Sequence, residues 1–77
     1  MDNVVDLELD LSGLSCPLPL LKTKQALNKM ANGQTLKVLA TDPGSERDFQ
    51  VFTEQSGNKL LEMQHLNGKF CYLIEKN

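Results

Sequence analysis

Gly13-Leu14-Ser15-Cys16-Pro17-Leu18-Pro19 is the stretch on which the fold turns, because the hydrophobic period changes across it. Before it, Val5, Leu7, Leu9 and Leu11 alternate with Asp6, Glu8 and Asp10. That period of two is a strand with one covered face, spanning Val4 to Leu11. After it, Leu20, Thr23, Leu27, Met30 and Ala31 recur at helical spacing from Leu20 to Ala31, and Gly33 marks the stop. Proline suits the first helical position, and the residue before a proline avoids helical angles. Pro17 is therefore expected to open the helix, with Cys16 as its N-cap. Ser15 is the alternative cap, with Cys16 tucked inward. A thiol at an N-cap meets unpaired backbone donors and the positive end of the helix dipole. Pro17 and Pro19 have no N–H, so the Leu18 N–H is the donor left to face the sulfur. Both effects favour thiolate and predict a lowered Cys16 pKa. The bland reading of the same residues is a helix start with a small cap.

Working outward, Leu36, Val38 and Ala40 alternate as a second strand, broken by Asp42-Pro43-Gly44-Ser45. Ser45-Glu46-Arg47-Asp48 has capping-box spacing, with Phe49 and Phe52 on one face of the helix behind it and Gly57 at its end. Leu60–Leu66 and Lys69–Ile74 are strands joined by Asn67-Gly68, a strong hairpin turn. A two-residue turn sets Leu61 opposite Ile74, Met63 opposite Tyr72 and His65 opposite Phe70, all on the core face. Glu62, Gln64, Cys71 and Leu73 take the other face. With Asp6, Glu8, Asp10, Lys37 and Thr41 also on that polar face, one side of the sheet is covered and one is wet. The expected fold is an α+β two-layer sandwich, βαβαββ, with a mixed four-stranded sheet and both helices on one face. Cys16 then lies beyond the carboxyl end of the first strand, where open α/β sheets place their sites.

The 77 residues are enough for one domain, 1–77, with one core. A net charge of −2 leaves no footprint for direct nucleic-acid binding, and Lys22, Lys24 and Lys29 read as a solvated helix face. No apolar run has membrane-spanning length, and no basic segment precedes an apolar one as in a signal peptide. Two cysteines without export signals imply free thiols in a reducing compartment, the cytoplasm. One histidine and two distant cysteines do not make a metal site, and no cofactor motif is legible. Cys71 reads as a half-exposed structural cysteine and His65 as a rim residue. Arg47 and Asp48 are first of all cap residues of the second helix.

At these residues the chain resembles the TusA family of small sulfur-carrier proteins, also called SirA-like. The resemblance is carried by Gly13-Leu14-x-Cys16-Pro17-x-Pro19, then Lys24, Met30, Gly33, Leu36 and Val38. It continues through Asp42-Pro43, Arg47-Asp48-Phe49, Gly57 and Tyr72-Leu73-Ile74-Glu75-Lys76, nearly the whole chain. It implies the same βαβαββ sandwich and a persulfide carried on Cys16. The sulfur would come from a protein donor, a cysteine desulfurase or a rhodanese, and pass to a protein acceptor, without metal or cofactor. Members in tRNA thiolation look like Cys-Pro-Glu-Pro with Ile-Pro-Gly in the second helix. Here Leu18 replaces the acid and Phe49-Gln50-Val51 replaces the latter, so the persulfide chemistry carries over and the pathway does not. From a different class, the surface around Cys16 reads as a non-catalytic interaction or regulatory module. A disulfide-cycling role lacks a resolving cysteine near Cys16.

Overall fold

The computed structural model describes residues 5–77. Val4, where the first strand is expected to begin, lies outside them. The elements are β1 (Leu7–Leu11), α1 (Leu18–Asn28), β2 (Thr35–Ala40), α2 (Ser45–Ser56), β3 (Lys59–Leu66) and β4 (Lys69–Glu75). Their order in the sheet is β1-β2-β4-β3, with β1 parallel to β2 and the other neighbours antiparallel. This is the expected mixed four-stranded sheet with two helices.

Two central strands supply most of the core. Leu36, Val38 and Ala40 of β2 and Phe70, Tyr72 and Ile74 of β4 alternate inward and are buried. The helices cover them with Thr23 and Leu27 of α1 and Phe49 of α2. Phe49 stacks on Tyr72 with ring centroids 4.4 Å apart. Burying one such side chain contributes about 1.5–3 kcal/mol, so these few contacts dominate the cohesion of the two layers. On the other face Lys37, Leu39, Cys71 and Leu73 stay only half-buried.

Four local expectations are corrected. β1 begins at Leu7, because the Asp6 carboxylate accepts the Thr35 N–H at 2.8 Å and ends the alternation. α1 ends at Asn28, so Met30 still packs on the core from the following turn while Ala31 is exposed. α2 has no capping box: Gly44 is the N-cap and no side chain caps it. Ser45 is instead buried in the first turn with its hydroxyl 2.7 Å from that of Tyr72. In the hairpin, Met63 pairs with Tyr72, Gln64 with Cys71 and His65 with Phe70, as the turn dictates. Ile74, however, pairs with Leu60, and a bulge sets in between Leu60 and Glu62. Leu60 and Met63 both pack on the core. A spacing of three residues cannot keep two side chains on one face of a period-two strand, so Leu61 becomes the extra residue and stays 44% exposed.

Candidate functional site

Because β1 and β2 are parallel neighbours with Leu11 beside Ala40, their carboxyl ends and the loops that follow emerge at the same edge. The first loop is held tightly. Asp10 Oδ1 accepts the Ser12 N–H at 3.1 Å, and the Gly13 N–H donates to Thr41 Oγ1 at 2.8 Å, fastening the loop to the end of β2. Gly13 has φ +85°, a conformation that side chains disfavour. Leu14 packs half-buried against the core, whereas Ser15, Cys16, Pro17 and Leu18 are exposed. Pro19 is buried and closes the segment.

Cys16 is not the N-cap. Pro17 holds that position, with φ −98° and ψ 14°, and no side chain caps the helix, so Ser15 is not the cap either. The Leu18 N–H, expected to face the sulfur, donates to the Ser15 carbonyl at 2.9 Å. That turn places Cys16 just outside the helix; the Cys16–Pro17 peptide is cis.

The sulfur finds a different partner. The Cys16 thiol donates to Asp48 Oδ2 at 3.5 Å, across from the first turn of α2. The expected acidification is therefore reversed. The hydrogen bond to the Asp48 carboxylate pushes the Cys16 pKa above its ordinary value, assisted by desolvation and by the charges of Asp48 and Asp42. At neutral pH the group is a thiol, and only its thiolate is nucleophilic. Asp42 precedes α2, and its Oδ2 is buried without a hydrogen-bond partner among the described residues. Beside these groups, Leu20, Lys24, Arg47, Asp48, Val51, Phe52 and Gln55 line an open groove of about 440 Å³ along the two helices. Lys24 Nζ lies 5.5 Å from the centre of the Phe52 ring. Leu18, Leu21 and Val51 are 43%, 47% and 41% exposed, so the surface of these helices is apolar as well as charged.

The other candidates lie elsewhere. Cys71, half-buried and free, pairs with Gln64 and Leu39 on the sheet face away from the core. His65 is exposed with its ring 4.0 Å from that of Phe70, a rim position. Arg47 is exposed on α2. Among the described residues no three His, Cys, Asp or Glu side chains are grouped to hold a metal ion. No described helix is long and apolar enough to cross a membrane. Sequence reasoning assigned Asp48 to a cap and missed it as the neighbour of Cys16. The signal was available in the parallel pairing, which brings the loop after each strand to one edge.

Fold and site together define a small α+β protein that presents one exposed cysteine on the loop between a strand and a helix. Residues 7–76 match the family model described as "Sulfurtransferase TusA", and the chain belongs to this family. The Sulfur carrier protein TusA of Allochromatium vinosum is 56% identical over 72 residues, covering 94% of this chain and 95% of that one. The Sulfur carrier protein TusA of Pseudomonas putida (strain GB-1) is 41% identical over 75 residues, covering 97% and 94%. The crystal structure of a SirA-like protein from Desulfitobacterium hafniense superposes with a TM-score of 0.79 at 27% identity, covering 90% of this chain and 95% of that one.

Proposed function

We propose that this chain is a sulfur carrier that holds sulfur as a persulfide on Cys16, a single domain working in a reducing cytoplasm. A protein donor, a cysteine desulfurase or a rhodanese, supplies the sulfur and a protein acceptor takes it. The observation that carries the reading is an exposed thiol on a firmly held loop, in a chain of this family. In the loading step the Cys16 thiolate attacks the outer sulfur of the donor's persulfide. A sulfur–sulfur bond forms on Cys16, the donor's breaks, and the donor cysteine leaves as thiolate and takes up a proton. One persulfide and one thiol yield one thiol and one persulfide, with no net oxidation. Unloading repeats the step with an acceptor thiolate, and no cofactor or metal enters either one.

The test is loading by a cysteine desulfurase with free cysteine, read by intact mass. The expected product carries one added sulfur atom, absent after Cys16→Ser. No adduct, or one that survives the substitution, would refute the reading for that donor. The exposed Leu18, Leu21 and Val51 favour one alternative, a module that docks partners without moving sulfur. A pull-down under reducing conditions separates the two: partner binding that persists in Cys16→Ser, with no sulfur moved by wild type, supports the module.

A further inference from the structure

The Cys16 sulfur lies 3.5 Å from a carboxylate, an unhelpful neighbour for a group that must become an anion to react. The charges acting on it are Asp48 of α2 and Asp42 of the loop before α2, both negative. Lys24 and Arg47 line the groove that Asp48 shares. One carboxylate oxygen of Asp42, Oδ2, is buried without a hydrogen-bond partner among the described residues. An exposed thiolate is open to irreversible oxidation, whereas an exposed thiol is not a nucleophile. Two carboxylates at an exposed sulfur favour the thiol and attract a cation.

We propose that Asp48 is a positioning residue that latches Cys16, holding the thiol proton through its hydrogen bond until a cationic side chain of the sulfur donor takes the carboxylate. The idea rests on the sulfur-carrier reading and adds both a control step and the chemistry of the partner. Pairing the donor's cation with Asp48 removes the acceptor of the thiol hydrogen bond and part of the negative field. The proton then leaves to solvent, and the thiolate attacks the donor persulfide as written above. Without such a partner the sulfur stays protonated, so the free carrier is slow toward small electrophiles.

The test uses the full chain carrying Cys71→Ser, so that Cys16 is the only thiol. Alkylation by neutral iodoacetamide is followed from roughly pH 6 to pH 10, spanning the free-thiol value of about 8.5. The wild-type midpoint is expected above that value, and Asp48→Asn is expected to lower it. Intrinsic nucleophilicity falls with pKa, so each tenfold gain in thiolate leaves a rate gain of about threefold at neutral pH. Asp48→Glu, which keeps the charge, is expected to keep the high midpoint, a rescue that a merely structural role does not give. A second arm compares exchange with cystamine, a dicationic disulfide, and with neutral hydroxyethyl disulfide. The wild-type rate ratio should exceed that of Asp48→Asn by about threefold or more at low salt and converge on it at high salt. Dividing the ratios cancels the leaving-group difference between the two disulfides. Superimposable pH profiles for wild type and Asp48→Asn would overturn the latch, and equal ratios at low salt would overturn the demand for a cation. Neither arm uses a desulfurase. Failure of sulfur loading with both arms positive refutes the carrier alone, and normal loading with both arms negative refutes the latch alone.

Discussion

The hydroxyls of Ser45 and Tyr72 lie 2.7 Å apart, both buried, and each is the partner that makes burial of the other tolerable. Burial pushes the Tyr72 pKa above its ordinary value of 10.0; the Ser45 hydrogen bond opposes this, and Glu46, Asp42 and Asp48 add to the rise. Since tyrosine is neutral when protonated, a raised folded-state pKa stabilises the fold below the unfolded value. That contribution is lost as pH climbs through and beyond about 10. Tyr72→Phe strands the Ser45 hydroxyl, and we expect a loss of about 1–3 kcal/mol in urea unfolding at neutral pH. Ser45→Ala should cost a similar amount, and the double variant less than the sum, because both singles break one bond. An additive double variant would mean that the two hydroxyls do not act as a pair. The same bond explains where residue-level reading stopped. Gly13, Pro17 and Pro19 marked Cys16 correctly as the residue between strand and helix. Ser45 and Asp48 had the spacing of a capping box, but their actual partners, Tyr72 and Cys16, are 27 and 32 residues away. Local pattern carries no information about such contacts.

At the scale of elements, the turn between β3 and β4 holds two consecutive residues at positive φ, Asn67 at 54° and Gly68 at 76°. A two-residue hairpin turn of this kind matches the twist of the strands it joins. A Cβ on Gly68 would meet nothing within 4 Å, so a substitution there acts through the backbone alone. Gly68→Ala is expected to cost about 1–2 kcal/mol, the penalty for an L-residue in the left-handed region, with no change in the Phe49–Tyr72 stack. Urea unfolding gives the loss, and near-ultraviolet circular dichroism reports the ring environment. An unchanged midpoint would mean that the turn tolerates alanine by changing type. The turn also sets the reach of sequence reading. Pairings from Leu66 back to Glu62 followed from it, and Leu61 opposite Ile74 did not survive the bulge. The bulge satisfies Leu60 and Met63 together, a demand that comes from the helices covering the sheet and is invisible in a strand read alone. The strand–helix order was legible throughout, because each change of hydrophobic period coincides with a glycine or proline.

Over the whole molecule, the sheet separates the two cysteines. Cys16 is bonded to α2 on the helical side, whereas Cys71, beside Leu39 and Gln64, belongs to the face turned from the core. A disulfide needs Cα atoms within about 7 Å and Cβ atoms pointing toward each other. A loop at the sheet's edge and the outward face of a central strand do not offer that without rearranging β4. On the sulfur-carrier proposal, Cys71 is then not the resolving thiol for Cys16, and the proposal takes the sulfur acceptor from another protein. Cys71→Ser is expected to keep the full sulfur adduct on Cys16 and the single-turnover transfer rate to a given acceptor. Its cost in stability should be below about 1 kcal/mol, as for substitutions outside the core. The decisive comparison is transfer by wild type and Cys71→Ser with the same donor and acceptor, alongside unfolding curves for both. A large loss of transfer with unfolding unchanged would place Cys71 in the chemistry and require β4 to move during turnover. Equal transfer would support a relay whose one working sulfur lies at the edge where β1 and β2 end, with Cys71 taking no part in the reaction.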